Sequence, residues 1–142
     1  MITRLPKTAK GYLYYHRILW GRIVRELERL QRGKIGGDGS GYILKLHIFN
    51  KTFDFGTTEI RLTCFPCHWR NKKTDFQRCE NCLLKTDGYY FFCLDSNYAH
   101  YMESVESGAY SQAIKYAKII RDTPMDERWK GKKCRSQNTT EK

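Results

Sequence analysis

The sequence predicts an α+β fold: an N-terminal helix, an antiparallel sheet carrying a four-cysteine zinc hairpin, and two C-terminal helices. Three observations support this. Residues 11–32 repeat their apolar positions at three- and four-residue steps. Residues 42–64 alternate with a period near two. Two Cys-x-x-Cys knuckles, Cys64-Phe65-Pro66-Cys67 and Cys79-Glu80-Asn81-Cys82, stand eleven residues apart.

Within residues 11–32, Tyr12, His16, Leu19, Trp20, Ile23, Leu27 and Leu30 form one apolar stripe. Nearly opposite, Arg22, Arg25, Arg29 and Arg32 fall within about a quarter turn at 100° per residue. Glu26 and Glu28 can pair with Arg22 and Arg32 at i,i+4, and two glutamates cannot neutralise four arginines. Such a row is either a solvated face or a set of guanidinium forks for backbone phosphates. Residues 1–11, with Arg4, Lys7 and Lys10, read as a loosely held basic arm.

Gly33 ends the helix, and residues 33–41 contain five glycines. The spacing does not fit a phosphate-binding G-x-x-x-x-G-K-[ST] loop, so this stretch reads as a connection. Residues 42–49 then read as a strand, with Leu44, Leu46 and Ile48 alternating against Ile43, Lys45, His47 and Phe49. Asn50-Lys51-Thr52 supplies a turn, and residues 53–55 and 57–64 read as further strands leading into the first knuckle.

Cys64, Cys67, Cys79 and Cys82 can close a tetrahedral shell on Zn²⁺ with Zn–S near about 2.3 Å. Four thiolates leave no open position for water or substrate, which makes the metal structural. His68 or Cys93 could replace a ligand, although His68 reads better as a packing residue and Cys93 as a small buried one. Three disulfides in a secreted protein are the rival reading, with Asn50-Lys51-Thr52 and Asn138-Thr139-Thr140 as glycosylation patterns. The N-terminus carries no apolar segment of the signal-peptide kind, which favours an intracellular setting, cytoplasm or nucleus.

Between the knuckles, Trp69, Arg70, Lys72, Lys73, Phe76 and Arg78 interleave aromatic and basic groups, as stacking on unpaired bases requires. One of the two rings is expected to be buried and the other exposed. Residues 89–94 read as a central strand. A helix capped near Asp95, Ser96 or Asn97 closes at Gly108, and a second covers residues 109–122 before Pro124, with Lys115, Lys118 and Arg121 outward. Residues 1–125 form one domain, and residues 126–142 a basic, flexible tail.

Lys and Arg number 26 against 15 Asp and Glu, a net charge of +11, which implies an anionic partner, RNA ahead of DNA. No run of apolar residues is long enough to span a membrane. Catalytic signatures are weak. His16, His47, His68 and His100 show no spacing that makes them converge as the acid and base of a ribonuclease. Asp54 and Glu59 lack the lysine of a metal nuclease, because Arg61 stands there. The reading is a non-catalytic, zinc-stabilised nucleic-acid-binding protein that could form homo-oligomers. Its rivals are an effector that binds a host protein and a small ribonuclease.

With its small size and its mid-chain Cys64-x-x-Cys67 and Cys79-x-x-Cys82, the chain resembles the cysteine-rich accessory proteins of plant RNA viruses. The first-reading-frame proteins of sobemoviruses are nearest in style. The likeness covers about twenty residues, the two knuckles. It implies suppression of host RNA silencing, with zinc keeping the fold.

Overall fold

Helices, not a sheet, make the frame. The computed structural model describes residues 1–33, 40–56, 60, 64–69, 83–85 and 97–132, without the side chain of Cys67. Among them there is no strand, and the expected antiparallel sheet is overturned. Four longer helices, α1 (Ala9–Gly33), α2 (Gly41–Thr52), α4 (Asn97–Glu106) and α5 (Tyr110–Asp122), surround the core. The single turn α3 (Phe65–His68) plugs one end, and a 3₁₀ turn, Glu127–Trp129, follows α5.

Helix α1 starts where Thr8 caps it: the Thr8 hydroxyl accepts from the Gly11 N–H at 3.0 Å. Its buried residues, Ala9, Tyr12, His16, Leu19, Trp20, Ile23, Val24, Leu27 and Leu30, are those of the predicted stripe with Ala9 and Val24 added. His16 behaves as a structural histidine, its Nε2–H donating to the Ile120 carbonyl at 2.9 Å.

The segment read as the first strand is α2. Ser40 supplies a side-chain N-cap, accepting from the Ile43 N–H at 3.2 Å. The buried positions are Gly41, Lys45, Ile48, Phe49 and Thr52, a helical spacing. Alternation misled because the inward side chain in mid-segment is a lysine, while Ile43 points to solvent. Lys45 is 2% exposed, its Nζ donating to the Tyr98 hydroxyl at 3.2 Å and lying 4.7 Å from the Tyr98 ring centre. Of the other expected strands, residues 57–59, 61–63 and 89–94 lie outside the described residues.

Helices α4 and α5 form an antiparallel hairpin within two residues of their expected bounds. Gly108, at φ 78°, makes the left-handed turn, and the Ala109 N–H reaches back to the Ser104 carbonyl at 2.8 Å. Ala113 and Ala117 are fully buried on α5, and their small side chains let it lie close along α1. Around the core the helices touch in the order α1, α5, α4, α2, and α2 returns to α1. Helix α1 thus has α2 on one flank and α5 on the other, with α4 diagonally opposite.

Below this ring sits an aromatic cluster. Phe65 of α3 is fully buried, with ring centres 4.9 Å from Phe53, 5.6 Å from Phe49 and 5.6 Å from Tyr15. The Phe53 and Tyr15 contacts are edge-on, and such pairs add about 0.5–1.5 kcal/mol each beyond the area they bury. The N-terminal arm is held more firmly than expected. Ile2 forms a parallel bridge with Phe53, its N–H donating to the Thr52 carbonyl and its carbonyl accepting from Asp54. Residues 126–132, assigned from sequence to a flexible tail, also dock. Trp129 packs edge-on against Trp69 at 6.0 Å, and the Lys132 carbonyl accepts from the Ala9 N–H at 3.0 Å. Residues 133–142 lie outside the described residues.

Candidate functional site

Two regions carry the predicted chemistry, and they sit at different places on the frame. The first knuckle begins in an extended residue, Cys64, at the N-cap of α3, and Pro66 stands in the first turn, where a missing N–H costs no helix bond. Cys67 lies in the same turn, three residues on. Phe65 and Trp69, both fully buried, anchor the knuckle from either side, and His68 is buried and stacked on Tyr12. His68 thus packs against α1 in the turn that holds Cys64 and Cys67.

Cys79, Cys82 and Cys93 lie outside the described residues. Leu83, directly after Cys82, is fully buried, and its N–H donates to the Pro66 carbonyl at 3.3 Å. Leu83 is thus fastened to the turn that holds the first knuckle. The returning segment is clamped on its other side as well: the Asp126 N–H donates to the Leu83 carbonyl at 2.9 Å, and the Lys85 N–H to the Pro124 carbonyl at 2.8 Å. Among the described residues no three His, Cys, Asp or Glu side chains converge as a metal-holding group.

The second region is the outward face of α1. Arg22, Arg25, Arg29 and Arg32 are all exposed along it. The expected i,i+4 pairs are replaced by one i,i+3 pair, in which Arg29 holds both carboxylate oxygens of Glu26. That hydrogen bonding pulls the Glu26 carboxyl below its ordinary range and raises the Arg29 guanidinium. Arg22 turns instead toward α2, its Nη1 3.4 Å from the Thr52 hydroxyl. Arg25 and Arg32 make no ion pair among the described residues.

The flanks extend this face. On the α2 side, Lys51 and His47 lie close enough to Glu26 to contribute to holding its charge. On the α5 side, Arg17 Nε donates to the Arg121 carbonyl at 3.3 Å, and Arg121 forks onto Asp122. That fork, with Lys118 and Arg17 nearby, holds the Asp122 carboxyl down. Across the ring, α4 carries Glu103 and Glu106, both exposed, with no Lys or Arg. Basic groups thus outnumber acidic ones on α1, where Glu26 and Glu28 also lie, whereas α4 carries two glutamates and no Lys or Arg.

Sequence reading missed His47 and Lys51 as part of this face because it placed residue 47 in a strand and residue 51 in a turn. The serine cap ahead of a twelve-residue stretch without Pro was the available signal. Trp69 leaves the nucleic-acid set. At 0% exposure, with Tyr12 and Trp129 packed against it at steep angles, the indole leaves no surface on which a base can stack. Arg70, Lys72, Lys73, Phe76 and Arg78 lie outside the described residues. The Asn50-Lys51-Thr52 pattern occupies the last turn of α2, where Thr52 is buried and its hydroxyl donates to the Ile48 carbonyl at 2.7 Å. Asn50 itself is exposed, but a motif held in a helix with its threonine buried is a poor glycosylation site. No helix among the described residues is long and apolar enough to cross a membrane.

No protein-family model, no curated protein and no solved structure matches this chain. Fold and site are therefore read from this molecule's own residues: a small helical protein with a basic face and a cysteine-bearing turn.

Proposed function

We propose that this protein binds nucleic acid, RNA ahead of DNA, without catalysis, and that a structural zinc ion on Cys64, Cys67, Cys79 and Cys82 closes its lower end. The observation that carries the binding reading is the charge imbalance between α1 and α4. Helix α1 bears six basic side chains against two acidic ones, and the acidic helix stands diagonally opposite. A solubilising charge needs no such polarity; attraction of a polyanion to one face does. The zinc reading is supported by the Leu83–Pro66 hydrogen bond, which brings the chain beside both knuckles together. Cysteine thiolates paired in this way suit Zn²⁺.

The test is an RNA-binding titration at rising KCl with the wild type and the R25E/R29E double variant. Affinity should fall linearly with salt on logarithmic axes and drop about tenfold or more in the variant, with the helical circular-dichroism spectrum retained. Unchanged affinity in the double variant would discard the basic face. Silencing suppression, the role implied by the likeness of the knuckles to sobemovirus accessory proteins, is tested by restored expression of a silenced reporter. A host-protein effector remains the second reading, favoured by Ile43, which is 57% exposed on α2 beside exposed Tyr42. Binding that ignores salt and is lost in I43E would select it.

A further inference from the structure

We infer that Tyr14 is a base-stacking residue of the basic face, holding one unpaired nucleotide of a nucleic-acid strand while Lys10 and Arg17 grip the phosphates beside it. This rests on the nucleic-acid reading above and deepens it. The first argument is the placement of the ring. Tyr14 lies on the outward side of α1 with 64% of its surface exposed, against 37% for Tyr42. Its neighbours in sequence have other tasks: Tyr12 is buried in the core, and the Tyr15 hydroxyl fastens the N-terminal arm. At 100° per residue, Lys10, Tyr14, Arg17, Arg25 and Arg32 fall within a sector of about 80°. Lys10 at i−4 and Arg17 at i+3 are therefore its neighbours on the helix surface. They stand about 10 Å apart along the axis, and their long side chains can reach the phosphates flanking one stacked nucleotide. Glu28, the acid in this sector, lies close enough to Arg121 to contribute to raising that guanidinium.

The second argument is the charge that tertiary contacts gather at the same end of α1. The Tyr15 hydroxyl donates to the Arg4 carbonyl at 2.7 Å, and the Ala9 N–H to the Lys132 carbonyl at 3.0 Å. The arm and the segment after α5 thus bring Arg4, Lys7 and Lys132, all exposed, to the first turns of the helix. The acids of that segment are already engaged, Asp126 by Arg128 and Glu127 by Lys130. An open ring amid cations is the combination that holds a single strand: charge follows the backbone, and any base can lie on a π face.

The experiment uses the full chain in fluorescence-anisotropy titrations against a single-stranded RNA of about 12 nucleotides and against a duplex of the same length. Y14A should weaken strand binding about five- to a hundredfold, the range of one stacked base, with the slope of affinity against salt unchanged. Y14F and Y14W should bind about as well as wild type, because each keeps a π face. K10E and K132E should instead flatten the salt slope. Duplex affinity should not respond to Y14A, since paired bases are not free to stack. The ring is exposed, so Y14A should retain the helical circular-dichroism spectrum. Wild-type strand affinity in Y14A, a loss shared equally by the duplex, or a wild type that binds only the duplex would overturn the inference while leaving the nucleic-acid reading standing. Binding to neither probe would overturn both.

Discussion

The Leu83 N–H donates to the Pro66 carbonyl oxygen at 3.3 Å, fastening the residue after the second knuckle to the turn that holds the first. The same strap carries Leu83 and Lys85 onto the segment after α5, and that segment reaches the start of α1 through Lys132 and Ala9. The turn of the first knuckle is therefore tied by backbone hydrogen bonds to segments far apart in sequence.

On the proposed zinc site, elemental analysis of purified protein should find about one zinc per chain, lost in C64S and C79S and retained in C93S. Metal-binding free energy is folding free energy where no site exists in the unfolded chain, so chelation should lower Tm markedly. Zinc retained in C79S, or a Tm indifferent to chelator, would count against the four-cysteine ligand set.

Gly41 sits where α2 meets α4. A Cβ there would stand 2.9 Å from Tyr101 Cε2 and 3.0 Å from Met102 Cα. Alanine at a helical position would ordinarily gain about 0.5–1 kcal/mol over glycine. The α4 backbone cannot step aside, so overpacking dominates, and Gly41→Ala should cost about 1–3 kcal/mol in denaturant unfolding. A stabilised variant would show that the two helices have room to separate.

The Tyr101 hydroxyl is buried and donates to the Gly41 carbonyl at 2.9 Å, and burial, with Tyr98 beside it, pushes its ionisation well above the ordinary tyrosine range. The folded state thus keeps this proton when the unfolded chain has given it up. The stability involved is fully present below about pH 10, the unfolded value, and is lost as pH rises beyond it. Thermal melts should show an alkaline decline beginning near that pH, shallower in Tyr101→Phe. At neutral pH the variant should lose about 1 kcal/mol with its hydrogen bond.

The helical elements with clean amphipathic stripes were legible to within about two residues: α1 from its apolar repeat, and α4 and α5 from theirs and from Gly108. Helix α2 was not, because its inward face is chemically mixed. Lys45 lies under Trp20 and Tyr98, whereas Ile43 and Tyr42 are exposed, so no hydropathy period points inward. The basic row was readable, since it depends only on helical register. Its flanks required knowing which helices stand beside α1, a tertiary fact. Trp69 shows the converse limit. Its basic neighbours in sequence suggested a nucleic-acid contact, but a large ring next to a tight turn is a good core anchor, and the core took it.

That placement gives a direct test of Trp69. Trp69→Phe should leave RNA affinity unchanged, because the indole is sealed between Tyr12 and Trp129. The same variant should lower stability by about 1–3 kcal/mol through imperfect filling of the site. A loss of affinity in protein of undiminished Tm would return the ring to the binding surface.

Glu26 provides the sharpest test of the basic face, because removing it should improve function. Both of its carboxylate oxygens are held by Arg29, so that guanidinium must leave them before it can fork onto a phosphate, and the carboxylate repels any phosphate nearby. Arg25, one turn earlier, has no such competitor among the described residues. Glu26→Gln should therefore tighten RNA binding about two- to fivefold at low salt, with a steeper dependence on KCl, whereas Arg25→Ala should weaken it by a similar factor. An exposed i,i+3 pair contributes only a few tenths of a kcal/mol to stability, so the folding cost of Glu26→Gln should be about as small. Side-by-side titrations of the two variants decide the matter. If Glu26→Gln binds RNA no better than wild type while Arg25→Ala is also neutral, the outward face of α1 is solvated surface and the contact lies elsewhere.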